Sequence, residues 1–322
     1  MKFKDMAKAW CNDHARYVKE STMAAYSLRL HKYIIPRLGE TESMTEEDLQ
    51  SYVNEKLAEG FSVHTVRDMT LVVKMILRYG AKRKWCDAPF EWKMVYPNRS
   101  KDSNRLEVWS TANQRKMINH CKEHFSFRNL GVLIAMETGM RIGEVSGLQW
   151  GDFDLQDQVV RVQRTVERIY RLDESGSKGT EVKISSTKTL SSNREIPLSK
   201  DILRFVRPLM KICEPGNYVL SNAALPLEPR AYRNYFYKLC EDVGVPRINF
   251  HGLRHTFATS LIASKCDIKT VSTILGHADV STTLDRYVHP NKEQKSRAIS
   301  ALLRNISRSD SEDEDFDPSQ IQ

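Results

Sequence analysis

The sequence has 322 residues, of which 40% are hydrophobic and 28% charged, an ordinary composition for a globular protein with room for two domains. The formal net charge is +8, but the last fourteen residues hold six acids and no Lys or Arg, so the other 308 carry +14. This balance indicates a polyanionic partner, either nucleic acid or an anionic membrane, although many basic proteins bind neither.

Several classes of protein are disfavoured at the outset. The six cysteines are scattered without a CxxC pair, which argues against a zinc site or a disulfide framework and favours reduced thiols in the cytoplasm. The N-terminus lacks the continuous apolar segment of a secretory signal. No apolar run approaches the length that spans a bilayer, so we expect no membrane function.

Residues 1–85 carry helical spacing of apolar residues and few strand signals. The pattern predicts four helices: a first around 3–10, a second from a cap at Ser21 or Thr22 to a stop at Pro36 and Gly39, a third from 45–48 to Gly60, and a fourth over 62–79. Four such helices would form a small bundle.

Basic residues follow the fourth helix and continue beyond it. The predicted DNA-facing set is Arg67, Lys74, Arg78, Lys82, Arg83 and Lys84, with Lys101 in the segment that follows. A run of charges is often only a solvated helix face, and that alternative stays open here. Residues 86–106 lose all periodicity and read as a basic linker.

The second half begins near Glu107. We expect a helix capped by Ser110 or Thr111, a buried helix over 130–136, and a turn at Gly139 that leads into a helix with Arg141 and Glu144 one turn apart. Strands are predicted around 159–166, 182–184 and 196, with a polar hairpin loop over 171–180.

Further helices are predicted over 199–212 and 228–243. The second of these carries four aromatic residues that we interpret as packing groups rather than base-stacking groups: Tyr232, Tyr235, Phe236 and Tyr237. An amphipathic last helix is predicted over 291–308, and the acidic tail over 309–322 is too polar to fold alone.

The stretch from His251 to Tyr287 holds the strongest chemical signal. His251 and Arg254 lie three residues apart, so on a helix they share a face and can reach one ligand atom. His277 and Tyr287 follow. A planar, permanently charged guanidinium beside two histidines suits a phosphate held for attack, although each element taken alone would more often be packing or a surface pair.

These residues resemble the tyrosine recombinase, or phage integrase, family over roughly 105–290. That family's pattern is an Arg followed by an acid, then a Lys in a β-turn, an HxxR pair, a His or Trp, and a Tyr. The matching positions are Arg141, Glu144, Lys188, His251, Arg254, His277 and Tyr287. Lys183 and Lys178 are alternatives to Lys188. We interpret His255 as structural and assign no role to His289.

The resemblance implies a mainly α fold with a small β-sheet in the catalytic domain. It implies an N-terminal helical core-binding (SAM-like) bundle over 1–85, a linker over 86–106, a catalytic domain over 107–290 and a C-terminal helix over 291–308 that docks on a neighbouring protomer. Larger integrases carry an arm-binding domain ahead of the bundle. This sequence starts almost at the bundle, so we expect either that the domain is absent or that this sequence does not include it.

The implied activity is site-specific recombination of double-stranded DNA through a 3′-phosphotyrosyl bond on Tyr287. The implied roles are phosphate stabilisation by Arg141 and Arg254 and protonation of the leaving oxygen by Lys188. Glu144 would support Arg141 or a neighbouring histidine, and His277 would donate to a non-bridging oxygen. His251 would accept the phenol proton or bind the phosphate. Because the phosphotyrosyl bond conserves energy, neither ATP nor a metal is expected, and the sequence carries no P-loop.

The expected assembly is a homotetramer on two DNA sites, with an excisionase or a host DNA-bending protein as accessory partners, in the cytoplasm and on the nucleoid when bound. We favour the integrase of a phage or conjugative transposon. The alternatives are an Xer-type chromosome or plasmid dimer resolvase, a catalytically silent DNA-binding protein of the same fold, and a type IB topoisomerase.

Overall fold

The computed structural model describes residues 1–87, 92–97, 107–172, 178–186 and 193–287, together with positions 296, 299 and 300. Within these residues the chain forms two apolar cores, one from the N-terminal helices and one from the second half. The prediction of a mainly α fold with a small β-sheet is confirmed, and the strands form two antiparallel sheets. No helix in this described part is both long and apolar enough to span a bilayer.

The N-terminal unit is an all-helical bundle. Its helices are α1 Phe3–His14, α2 Glu20–Arg29, a π-helical turn Leu30–Ile34, α3 Ile35–Leu38, α4 Glu46–Ala58 and α5 Val63–Lys82. Thr45 caps α4 in a reciprocal capping box with Asp48, as the acids of that first turn led us to expect. Ser62 caps α5, and the bundle buries residues from every α-helix except α2.

The predicted second helix is wrong at its start and at Pro36, whereas its predicted stop at Gly39 is confirmed, since Gly39 directly follows the last helical residue, Leu38. Neither Ser21 nor Thr22 caps it, because α2 begins at Glu20 after Lys19. Pro36 does not stop it either, since Pro36 occupies the first turn of α3, directly after the π-helical turn. A proline in the first turn needs no amide hydrogen bond, so the chain stays helical to Leu38.

The second unit contains the remaining elements. They are α6 Thr111–Glu123, α7 Phe127–Thr138, α8 Ile142–Ser146, β1 Phe153–Asp154, β2 Val159–Val162, β3 Arg164–Leu172, β4 Lys178–Ser186, β5 Arg194–Pro197, α9 Lys200–Leu209, α10 Pro229–Val243, α11 Phe250–Ala263, α12 Ile268–Leu275 and α13 Ser281–Tyr287. The helices predicted for this half are confirmed to within a few residues at each end where the structure describes them.

Two small antiparallel sheets support the helices. The first has the strand order β1-β2-β5, with Val160 opposite Ile196, and both side chains enter the core. The second is the hairpin β3–β4. Its strands extend into the segment predicted as loop, because backbone ladder bonds do not require apolar side chains and Arg171 pairs with Glu181 across the strands at 2.6 Å.

Contacts of the remaining predicted segments complete the fold. Tyr232 and Phe236 are fully buried, which confirms their prediction as packing groups. Residues 92–97, inside the predicted linker, lie against the bundle, where Val95 and Gln50 exchange two hydrogen bonds. The bundle also contacts the hairpin, since α2 packs on β3 and Glu20 pairs with Arg171 at 2.6 Å. The predicted helix over 291–308 lies outside the described residues apart from 296, 299 and 300.

Candidate active site

Arg141 and Glu144 are positioned by the end of one helix and the start of the next. Gly139 ends α7 with φ of +63°, and a Cβ there would lie 2.6 Å from the ring of Phe257, so only glycine fits this turn. Arg141 then stands at the N-terminus of α8. Its backbone N–H and its Nη1 each donate to the Glu144 carboxylate at 2.8 Å. The predicted contact between the two residues is present.

Arg194 gives that carboxylate a second cation. It projects inward from β5, and its Nη2 lies 3.0 Å from Glu144 Oε2, with both side chains about 95% buried. Burial opposes the charge on Glu144, but Arg194 and then Arg141 hold the pKa of Glu144 below its ordinary value. Arg194 Nε also donates to the Ile274 carbonyl at 2.7 Å, which ties β5 to the end of α12.

Arg254 is almost completely buried, at 1% exposure, in the middle of α11. Its Nη1 donates to the Gly139 carbonyl at 3.0 Å, while its Nη2 is buried without a hydrogen-bond partner among the described residues. Burial, with repulsion from Arg141, lowers the pKa of Arg254 to about 9. The guanidinium therefore stays charged at neutral pH and retains a donor for an anion.

The first turns of α11 also present two histidines. His251 is exposed, and its ring meets the ring of His255 edge-on, with centroids 4.6 Å apart. His255 is buried, and its Nδ1 lies 2.6 Å from the hydroxyl oxygen of Tyr287. The predicted nucleophile is thus joined to a histidine that we expected to be structural only.

His277 lies at the junction of α12 and α13. Gly276 ends α12 with φ of +68°, and the His277 N–H donates back to the Ser272 carbonyl at 3.1 Å. The ring Nδ1 is bonded to the buried Thr283 hydroxyl at 2.8 Å, one turn into the helix that carries Tyr287. This bond relates the position of His277 to the helix of the tyrosine.

The structure therefore brings six of the seven predicted family positions to one end of the second unit. The seventh, Lys188, lies outside the described residues, as does Lys101. Of the alternatives to Lys188, Lys183 forms an ion pair with Glu20 of the bundle, and Lys178 lies at the start of β4.

The predicted basic residues of α5 and the segment just beyond it differ in what their side chains contact. Arg67, Arg78 and Lys82 are exposed, and Lys74 is half-buried on the same face, where it donates to the Trp92 carbonyl. Arg83 instead pairs with Asp13 at 2.7 Å, and Arg67 lies 4.7 Å above the ring of Tyr96. Lys84, in turn, is exposed beyond the helix end with φ of 58°.

Two residues of the site were missed from sequence. Arg194 lies two residues before Ile196, so on a strand both side chains point to the same buried face, and this spacing could have indicated that Arg194 faces inward. The signal for His255 was its position one turn after His251 on the same helix face. Both signals are ordinary, since inward arginines and i,i+4 histidine pairs also occur without a functional role.

The arrangement suits binding of a phosphate group beside a nucleophile. It offers two guanidinium groups, two histidines at the edge and a phenol whose hydroxyl is already hydrogen-bonded. Among the described residues no three His, Cys, Asp or Glu side chains are grouped to hold a metal ion. The expectation of a metal-free reaction stays a prediction.

Comparison with known families gives two matches in the expected order. The model of the "Phage integrase, N-terminal SAM-like domain" matches residues 2–57, and that of the "Phage integrase family" matches residues 109–294. Similar curated proteins include the tyrosine recombinase XerC-like protein of Caldanaerobacter subterraneus subsp. tengcongensis, 24% identical over 90% of this chain and 75% of the relative. Another is the integrase of Staphylococcus phage L54a, which is 24% identical over 80% of this chain and 78% of the relative.

Solved structures share the fold. The Tn1549 transposon integrase in complex with transposon right end DNA has a TM-score of 0.77 and 19% identity, and the match covers 94% of this chain and 100% of that one. The structure of the lambda integrase (residues 75–356) bound to DNA has a TM-score of 0.60 and 16% identity. That match covers 91% of this chain and 99% of the lambda integrase chain.

Proposed function

The chain belongs to the phage integrase family and is a site-specific tyrosine recombinase, and we propose that it cuts and rejoins DNA with Tyr287 as the nucleophile. In this proposal the Tyr287 oxygen attacks a backbone phosphorus, the bond from phosphorus to the 5′-oxygen breaks, and a 3′-phosphotyrosyl bond forms. A 5′-hydroxyl of another strand reverses the step and completes the exchange.

The positions of the described side chains support the following roles, and the role of Lys188 rests on the family pattern alone. Arg254 and Arg141 stabilise the negative charge that grows on the non-bridging oxygens, because fixed charged donors act most strongly at a site shielded from water. Glu144 and Arg194 fix Arg141, and His251 and His277 bind the phosphate from its exposed side. Lys188 supplies the proton for the leaving 5′-oxygen.

One observation carries the proposal. Arg254 is 1% exposed and keeps one buried nitrogen without a partner in the described part of the chain, close to Arg141 and to Tyr287. A cation that is buried beside a second cation, with an unused donor, destabilises the fold unless an anion is bound there. The phosphate of DNA is the anion that agrees with the family, with the basic chain and with the neighbouring phenol.

The test is covalent capture. The purified chain is mixed with sheared genomic DNA from the cell that encodes it, in EDTA and without ATP, then denatured, and protein-linked fragments are sequenced. We expect adducts at a few sites for the native protein and none for Tyr287→Phe. Salt-sensitive binding without adducts in either protein would favour the silent DNA-binding alternative. Adducts in both would mean that another residue is the nucleophile.

We further propose that the substrate is the end of a mobile element, with the reaction taking place in the cytoplasm on the nucleoid. The Xer-type alternative is retained because curated XerC-like and XerD recombinases match this chain over 80–90% of its length. The captured sites separate the two: ends of an integrated element support an integrase, whereas one chromosomal or plasmid resolution site supports a resolvase.

Assembly belongs to the same proposal. We propose that residues 291–308 dock on a neighbouring protomer, so that four chains join two DNA sites, with an excisionase or a DNA-bending protein as accessory partner. Deleting 291–322 should leave cleavage and relaxation of supercoiled DNA intact and abolish strand exchange. Equal loss of both activities would count against a docking role, and retention of exchange would exclude it.

A further inference from the structure

The inference concerns the two histidines of α11, which differ in what they contact. His251 is exposed at the first turn, where a DNA backbone can reach it. His255, one turn later, is 7% exposed, and its Nδ1 lies 2.6 Å from the Tyr287 hydroxyl, with ring centroids 5.6 Å apart. The imidazole of His255 therefore lies within hydrogen-bond distance of the predicted nucleophile.

The contact is formed with the phenol inside the site. Arg254 precedes His255 directly, and the charge of Tyr287 acts on the pKa of Arg254, so the phenol lies near the guanidinium group. Arg254 donates a hydrogen bond to the Gly139 carbonyl, and the next residue of α11, His255, is hydrogen-bonded to Tyr287.

The chemistry of the pair suits proton transfer. A phenol has a pKa of roughly 10 and an imidazole of about 6.5, so both are neutral near pH 7 when unperturbed. In the tautomer with hydrogen on Nε2, Nδ1 carries a lone pair and accepts the hydrogen bond from the phenol. A base within hydrogen-bond distance of the proton it removes satisfies the geometric condition for general base catalysis.

We infer that His255, and not His251, accepts the proton of Tyr287, and this inference rests on the proposed function. As the bond from Tyr287 to phosphorus forms, the phenol proton moves to His255 Nδ1, and the phosphorus–5′-oxygen bond breaks. The 5′-oxygen receives its proton from a separate donor, proposed above as Lys188. In religation the protonated His255 returns the proton to the tyrosine oxygen. His251 is then left for the phosphate.

The first test uses two matched variants on the same helix. His255→Asn places an amide at the level of Nδ1 but has no base, and His251→Asn is the control one turn away. On a nicked suicide duplex made from a captured site, His255→Asn should form the adduct on the order of a hundredfold more slowly, at unchanged DNA affinity. A rate within threefold of the native protein would overturn the inference.

The second test separates proton transfer from a merely structural role. Replacing Tyr287 by a difluorotyrosine makes the phenol more acidic, so its attack depends less on a base. This replacement should recover most of the rate lost in His255→Asn and little of that lost in His251→Asn. Recovery in neither variant, or only in His251→Asn, would overturn the inference. Absence of any adduct in the native protein would instead refute the proposed function.

Discussion

The two units of this protein use the same kind of ion pair in opposite surroundings. In the bundle, Glu55 lies between Arg37 at 2.9 Å and Lys56 at 3.6 Å, with a side chain that is 38% exposed. In the second unit, Glu144 lies between Arg141 at 2.8 Å and Arg194 at 3.0 Å, with a side chain that is 4% exposed. In both cases one glutamate lies between two cations, and the main difference is the access of water to the carboxylate.

This difference extends to the whole of each unit. Among the described residues of the bundle, Lys56 is the one charged side chain classed as buried, whereas the second unit buries Glu144, Asp152, Arg194 and Arg254. Buried ion pairs contribute little net stability over apolar packing, so their presence calls for another reason. We propose that the second unit keeps Glu144, Arg194 and Arg254 buried for its chemistry, a demand that the bundle does not have.

The largest expected effect follows from removing the buried acid. Glu144→Gln leaves Arg194 inside the protein without its counter-charge, and breaking one side of a buried pair typically destabilises by about 3–5 kcal/mol. Urea unfolding followed by a probe in the second unit would measure this. A change below about 1 kcal/mol would mean that water reaches the pair and that the comparison with Glu55 fails.

The next-largest expected effect is a change that lowers activity without lowering stability. Arg254→Met removes a buried cation that has an unpaired nitrogen, so thermal stability should be unchanged or raised. Adduct formation should fall on the order of a hundredfold, about 3 kcal/mol, because one fixed donor to the phosphate is lost. Calorimetry and the covalent assay are read on the same preparation.

Arg254→Lys is the matched control for charge. It keeps the positive charge but lacks the planar fork that bonds Gly139 and leaves a second donor for phosphate. We expect loss of activity without the gain in stability. Full activity in the lysine variant would show that charge alone suffices, and a clearly lower melting temperature in Arg254→Met would show that this arginine stabilises the fold.

Acid provides a third measurement. The pKa of Glu144 is below its ordinary value of 4.5 because Arg194 and Arg141 outweigh the effect of burial. Its contribution to the free energy of unfolding is therefore complete above about pH 4.5 and is lost as the pH falls through the folded-state pKa. The stability difference between native protein and Glu144→Gln should shrink over that interval. A constant difference would contradict the ion-pair account.

How much of the fold and of the candidate site could be predicted from the sequence depends on the kind of signal. Thr45 with Asp48, and Ser62, predicted helix starts because capping is a local hydrogen bond between near neighbours. The site residues Arg141, Arg254 and Tyr287 were predicted because the family pattern records their order. Local hydrogen bonds and the order of motif residues can both be read from the sequence without knowledge of the fold.

Other features depend on contacts that the chain order does not record. Arg194 acts through Glu144 and Ile274, which are 50 and 80 residues away, so no spacing rule predicts its partners. The hydrogen bond between His255 and Tyr287 depends on the fold placing α13 against α11, which the sequence does not record. The helix through Pro36 was missed because a preceding π-helical turn removes the need for the amide that proline lacks.

The smallest expected effect comes from the surface counterpart of the first variant. Glu55→Gln makes the same chemical change as Glu144→Gln, but Arg37 is half exposed to water, and the buried Lys56 keeps its ion pair with Glu59 at 2.6 Å. Exposed pairs contribute roughly 0.2–1 kcal/mol, and salt screens them, so the loss should be near the lower end and vanish in high salt. Urea unfolding followed in the bundle, at low and high salt, measures this. If Glu55→Gln costs as much as Glu144→Gln, burial is not what separates the two units, and the buried charge of the second unit needs a different explanation.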